Sequence, residues 1–293
     1  MDFHHPLIQS LALPLVLAFT VTGMLRGALG AVQGRRWASA GAAVAIVGTA
    51  IWVLGWRIAP AGMTEKLPWI YTAAAIAGLA LEAMHASKRT QWLLGGVLWA
   101  LVLAVASPQP LPLKIGLWLL GLAVTRAVLH EPAARVNSAV ALVVASLGLA
   151  ATAMAAGSAL LFELALALAA AVAGCALWLW PAARIAFGAS GALVSVLAWL
   201  ALMQATALLP SVRPVALLLL AGTFTSAPLM HWLSRRLRRL PPGTPPAAHT
   251  WIAPLIVAAV AALWVAAALV VTLWGGAQAP AGVADDPYYK PRW

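Results

Sequence analysis

Residues 215–246 have the sequence VALLLLAGTFTSAPLMHWLSRRLRRLPPGTPP. It opens as an apolar run, is interrupted by the sequence GTFTSAP at residues 222–228, and ends with four arginines between residues 235 and 239. An apolar run of this length predicts a helix that crosses a membrane. Because short loops rich in Lys and Arg stay on the cytoplasmic side, the arginines predict that this helix ends in the cytoplasm.

The rest of the chain repeats this pattern. Of its 293 residues, 63% are hydrophobic and 9% are charged, whereas a soluble domain has about 25% charged residues. We therefore predict an all-α fold, a polytopic transmembrane bundle of about ten spans. The other nine predicted spans are residues 7–31, 38–58, 69–86, 91–106, 113–129, 138–156, 159–180, 187–209 and 251–274. A single domain would cover residues 1–275, with possible halves 1–137 and 138–275, and residues 276–293 would form an extramembrane tail.

The distribution of basic residues predicts the orientation. Loops after odd-numbered spans hold ten Lys and Arg, and loops after even-numbered spans hold three. This asymmetry predicts that the odd loops are cytoplasmic and both termini lie outside. The net charge of +11 is spread over span ends, so we expect no nucleic-acid partner. The Ala- and Leu-rich spans suggest a bacterial inner-membrane protein. Since the sequence MDFHHP lacks a basic leader region, we expect the first span to be retained.

Ionisable side chains within predicted spans are candidates for function, because they are costly in a membrane. Arg26, Glu82, His85 and Arg126 fall in the cytoplasmic third of spans 1, 3 and 5. Glu82 and His85 are three residues apart and would share a helix face. The group could gate a pathway or relay protons; alternatively, the arginines extend to the interface and one Glu–Arg pair joins two helices. Glu163 could bind a cation or proton, or be a carboxylate favoured at a helix start.

The break in span 9 is the predicted substrate site. Pro228 removes one backbone hydrogen bond, and the hydroxyls of Thr223, Thr225 and Ser226 would then face a cavity or a neighbouring helix. Gln204, late in span 8, is a further candidate. Secondary transporters bind substrates at such broken helices. The alternative is an ordinary proline kink whose hydroxyls bond their own backbone.

Cofactor and metal chemistry find little support in the sequence. His85, His130 and His231 lie near cytoplasmic span ends, where two could bind a b-type haem axially. No spacing supports that pairing, so we expect no cofactor, and without a compact ligand set we expect no metal. Motifs for nucleophilic catalysis, phosphate binding and dinucleotide binding are missing from the sequence, which argues against an enzyme.

Two classes of function remain open. Ten spans in about 300 residues, divisible into five plus five with inverted topology, resemble the drug/metabolite transporter class in architecture alone; the termini predicted outside depart from that class. The first hypothesis is therefore a small secondary transporter or permease for an amphipathic or lipid-like solute, because the spans offer few polar groups. The second is an accessory or assembly subunit that docks through small-residue helix faces and the tail, with Tyr288, Tyr289 and Trp293 as contacts. An enzyme acting on lipid-linked substrates ranks third.

Overall fold

The computed structural model describes residues 8–106, 109–237 and 249–276, and in these ranges it is helical without strands. The all-α prediction is confirmed for this part of the chain. The helices are α1 (Leu13–Ala28), α2 (Arg35–Trp37), α3 (Ala40–Leu54), α4 (Met63–Ala83), α5 (Lys88–Ala106), α6 (Leu111–His130), α7 (Asn137–Ala155), α8 (Ala159–Ala176), α9 (Ala189–Ala207), α10 (Pro214–Gly222), α11 (Ser226–Leu237) and α12 (His249–Gly276). Two π-helical turns, Ile8–Ala12 and Gly30–Gly34, flank α1, and the 3-10 turn Thr223–Thr225 joins α10 to α11.

Several of these helices have the length and the apolar composition of membrane-spanning helices. Within the described residues, seven are long and apolar enough to cross a bilayer: Ile8–Ala28, Lys88–Ala106, Leu111–His130, Asn137–Ala155, Ala159–Ala176, Ala189–Ala207 and Ile252–Trp274. An eighth candidate is Gly30–Trp37 with Ala40–Leu54, bent by 40°. The described residues therefore form a multi-pass membrane helical bundle with seven or eight candidate spans.

Helix α9 forms the centre of the bundle. Every residue of α9 except the last, Ala207, is buried. It packs against α3, α4, α5, α6, α7, α8 and α10. Lipid tails are as apolar as these side chains, so close van der Waals packing of small residues holds the helix rather than transfer out of water. Its neighbours thus present their outer faces to the surroundings while α9 contacts protein alone along nearly its whole length.

One core unites the chain on both sides of residue 137. Among the most extensive helix contacts are α7 with α8, α4 with α9, and α1 with α8. The second and third of these pairs each join a helix from residues 1–137 to one from residues 138–275. The buried apolar residues form one continuous cluster that draws on both ranges.

The chain turns between α7 and α8 at a short break, as expected. Gly157 has φ of 80°, a left-handed conformation that favours glycine. Ser158 then caps α8, since its side-chain oxygen accepts a hydrogen bond from the Leu161 N–H. Spans 6 and 7 are therefore two helices rather than one.

The stretch between predicted spans 38–58 and 69–86 is expected to be a loop, but its second half is helical. Helix α4 begins at Met63, so Glu65 and Lys66 belong to its first turns and Pro68 lies inside it. Proline removes one backbone hydrogen bond from the helix and does not end it here. At this rim Glu65 pairs with Arg57.

Candidate functional site

Glu82 forms a buried ion pair at the end of α4. Its Oε1 atom lies 3.0 Å from Nε of Arg36, which follows α1 in the chain, and a second guanidinium nitrogen donates to the Glu82 carbonyl. Glu82 is 8% exposed. The sequence predicted a Glu–Arg pair between helices with Arg26 or Arg126 as partner; the observed partner is Arg36, which the sequence placed in a loop.

The same carboxylate meets the N-terminus of the central helix. Glu82 Oε2 accepts from the Ser190 N–H at 3.3 Å, in the first turn of α9. Ser39 Oγ accepts from the Gly188 N–H at 3.2 Å and lies 2.9 Å from Ser190 Oγ. Helix N-termini carry unsatisfied N–H groups and a partial positive charge. A side chain at Gly188 would overlap the carboxylate, so glycine there permits the contact.

His85 does not share a helix face with Glu82, and that prediction is wrong. Helix α4 ends at Ala83, and His85 follows with φ of 53° and an exposed side chain. The Ala86 N–H bonds to the Leu81 carbonyl, and the His85 N–H bonds to the Glu82 carbonyl. This pair of hydrogen bonds is a Schellman motif, which requires a left-handed residue at the position of His85. The i, i+3 rule failed because the helix stops between the two residues.

We expect His85→Gly to stabilise the protein by about 1 kcal/mol, because glycine adopts the left-handed conformation without the Cβ clash. His85→Val should instead destabilise it, since a β-branched residue tolerates positive φ poorly. The melting temperatures of the two variants in detergent test this. A lower melting temperature for His85→Gly would show that the imidazole contributes more than the backbone strain costs.

The remaining charged candidates lie apart. Arg26 donates to the carbonyls of Arg184 and Gly30, at 2.9 and 2.8 Å, and so ties the end of α1 to the loop before α9. Arg126 lies on α6, exposed. Glu163 is half-buried in the second turn of α8. The structure thus brings none of these three to the Glu82–Arg36 pair.

The break in span 9 has the geometry of a kink that satisfies itself. The hydroxyls of Thr223, Thr225 and Ser226 donate to the carbonyls three residues earlier, at 2.6–2.7 Å. Phe224 packs edge-on against Trp199 of α9, with ring centroids 4.9 Å apart. Thr223 and Ser226 are fully buried. This arrangement matches the alternative of an ordinary proline kink whose hydroxyls bond their own backbone.

Gln204 is also fully buried, near the end of α9. Pro228 lies in the first turn of α11. His130 ends α6 with an exposed side chain, while the side chain of His231 is outside the described residues. The tail residues Tyr288, Tyr289 and Trp293 also lie outside them. In the described part of the chain, no group of three or more His, Cys, Asp and Glu side chains is placed to bind a metal.

A basic cavity of about 400 Å³ opens between the start of α5 and the end of α6. Its lining consists of Lys88, Arg89, Trp92, Arg126, Leu129 and His130. The Arg126 guanidinium lies 5.8 Å from the Trp92 ring centroid, a cation–π distance. Three basic side chains and an imidazole, all exposed, therefore border an open space that also has an apolar wall. Of the predicted candidates, it brings together Arg126 and His130.

Three tryptophans join α5 to α6, and one of them, Trp92, lines this cavity. Trp92 of α5 donates its indole N–H to the Leu122 carbonyl of α6, and Trp99 donates to the Leu117 carbonyl, each at 3.0 Å. Trp118 of α6 donates in the reverse direction, to the Gly96 carbonyl at 3.0 Å. Hydrogen bonds between helices fix their relative position in a membrane. The α5–α6 pair is therefore preorganised around the cavity.

The sequence alone did not identify most residues of the basic cavity or of the contacts around Glu82. Lys88 and Arg89 were only two of the ten basic residues whose positions predict the orientation, and Trp92 was not a candidate. A partial signal existed, because Lys88, Arg89 and His130 all lie at loops predicted on one membrane face. No sequence signal pointed to Ser39 and Ser190, since small polar residues are common in membrane helices.

No protein-family model, curated protein or solved structure matches this chain. Its function must therefore be argued from the geometry above.

Proposed function

We propose that this chain is a small permease of the bacterial inner membrane that carries an anionic, amphipathic, lipid-like solute. The observation behind this proposal is the basic cavity between α5 and α6. Lys88, Arg89 and Arg126 offer N–H donors and positive charge to an anionic headgroup, and Trp92 and Leu129 offer an apolar surface to its chain. Basic pockets between membrane helices bind anionic lipid headgroups by this chemistry.

In this proposal the chain crosses the membrane ten times, with both termini outside. Seven of these crossings are the seven long apolar helices, and the other three are α3, α4 and the α10–α11 pair. Helix α4 has 21 residues, enough for a span, although Glu65, Lys66 and Glu82 reduce its apolar character. The shorter apolar helix Pro214–Met230, which contains the break at residues 222–228, would form the crossing of the α10–α11 pair. The basic loops would then place the cavity on the cytoplasmic face.

The direct test is reconstitution of the purified chain, as sole protein, into liposomes with a fluorescent lipid in both leaflets. We expect faster transbilayer movement of fluorescent phosphatidylglycerol than in protein-free liposomes, and little effect on fluorescent phosphatidylcholine. The rate is read from quenching by a membrane-impermeant reductant. Equal rates with and without protein for every anionic amphipath tested would contradict the proposal.

The second candidate function is an accessory or assembly subunit of a larger membrane complex. The dense packing around α9 favours it, because a permease must open a path through its bundle. Purification in mild detergent from the native host, followed by mass spectrometry, tests it. A stoichiometric partner that is released when residues 284–293 are deleted would support docking through the tail; a chain that purifies alone would count against it.

A further inference from the structure

A second, much smaller cavity lies inside the bundle, between α3, α4 and α8. It offers about 10 Å³ to the centre of a water molecule and is lined by Ile46, Thr49, Ala50, Tyr71, Leu164, Ala167 and Leu168. A cavity needs about 10–15 Å³ by this measure to hold one water. The space is therefore at the size limit for a single molecule and too small for a solute.

Two hydroxyl groups in this lining have no hydrogen-bond partner within the described residues. They are Thr49 Oγ1 and Tyr71 Oη. Thr49 is 2% exposed and Tyr71 is 3% exposed, so neither can reach bulk solvent. A buried hydroxyl without a partner costs about 1–3 kcal/mol. Two such groups around one cavity are unusual, because native proteins satisfy nearly all buried polar atoms.

Three other buried hydroxyls in this bundle behave differently, whereas those of Thr125 and Ser146 also have no hydrogen-bond partner within the described residues. Thr152, Ser195 and Thr206 each donate to the carbonyl four residues earlier in their own helix, at 2.8–2.9 Å. Thr49 does not make this common bond, although it too lies inside a helix. Tyr71 cannot make it, because its hydroxyl is far from its own backbone. Both groups are therefore available to a ligand in the cavity.

We propose that one water molecule occupies this cavity and bridges Tyr71 Oη to Thr49 Oγ1. Each hydroxyl can donate and accept, so the water has two polar partners, the lower end of what a buried water requires. The bridge would join α3 to α4 through a polar contact in an otherwise apolar region. It is independent of the basic cavity and of the proposed transport.

Melting temperatures of Tyr71→Phe, Thr49→Val and the double variant, measured in detergent, test the bridge. With the water present, each single variant should melt a few degrees lower. The double variant should melt close to the lower single variant, because either change already breaks the bridge. If the cavity is dry, each variant removes an unsatisfied hydroxyl, so each should melt higher and the shifts should add. That outcome would overturn the proposal.

Thr152→Val is the matched control. Its hydroxyl is buried but bonds to the Gly148 carbonyl of its own helix, so its effect should add to that of Tyr71→Phe. Should a variant fail to fold, a density map of the unaltered protein that resolves ordered waters decides the question. A peak within hydrogen-bond distance of both hydroxyls supports the bridge, and an empty cavity overturns it.

Discussion

Arg36→Gln should destabilise the bundle by about 2–4 kcal/mol, a value between those of exposed and fully buried ion pairs. The change leaves the Glu82 carboxylate buried without its cation, while Glu82 also holds the first turn of α9. Because α9 contacts seven other helices, loosening its N-terminus should affect the whole core. The expected result is a lower melting temperature in detergent and a lower yield of folded protein.

The double variant Arg36→Gln/Glu82→Gln provides the control. It removes both charges, so it should be more stable than Arg36→Gln alone, with a coupling energy of about 1–2 kcal/mol. Arg35→Gln, at the exposed neighbouring position, should change stability little. If the effects of Arg36→Gln and Glu82→Gln, each measured alone, add up to that of the double variant, the ion pair contributes nothing beyond its separate side chains.

Lys88→Gln/Arg126→Gln should weaken binding of an anionic lipid headgroup by about 30-fold. This figure assumes about 1 kcal/mol for each basic residue near a membrane surface. Binding of phosphatidylglycerol to the protein in phosphatidylcholine nanodiscs, followed by native mass spectrometry, measures the loss. The affinity of the unaltered protein should also fall as salt is raised, because the charges lie near solvent.

Arg35→Gln serves as the matched control here too. It removes a positive charge predicted on the same membrane face but outside the cavity lining. Its affinity for phosphatidylglycerol should stay within about two-fold of the unaltered protein, since the charge acts only through screened, long-range interaction. An equal loss in both variants would indicate general attraction to a basic surface rather than a site.

The sequence predicted the helical class and most helix positions because hydropathy is a local property. It also located the Gly157 turn, where one residue determines the backbone. It failed where partners are distant in the chain: Arg36 and Glu82 are 46 residues apart, and Ser39 and Ser190 are 151 apart. Nothing in one sequence indicates which of several arginines a buried glutamate will meet.

Helix ends were the second source of error. The pairing of Glu82 with His85 assumed that α4 continues through both, but it ends at Ala83. The tryptophans show a related limit. Trp92 lies near the start of a predicted span, a position typical of the membrane interface, but it donates across the α5–α6 contact, as do Trp99 and Trp118 from the middle of their spans. A side chain suited to the interface is equally suited to bonding a neighbouring helix, and only packing distinguishes the two.

The most direct test of the proposed function is the transport rate of cavity variants in liposomes that contain no other protein. We predict that unaltered protein and Arg35→Gln move phosphatidylglycerol across the bilayer at similar rates, and that Lys88→Gln/Arg126→Gln, at equal reconstituted amounts, loses most of this activity. Equal rates for all three proteins would contradict the assignment of the solute site to the basic cavity. Rates no faster than protein-free liposomes would contradict the permease itself.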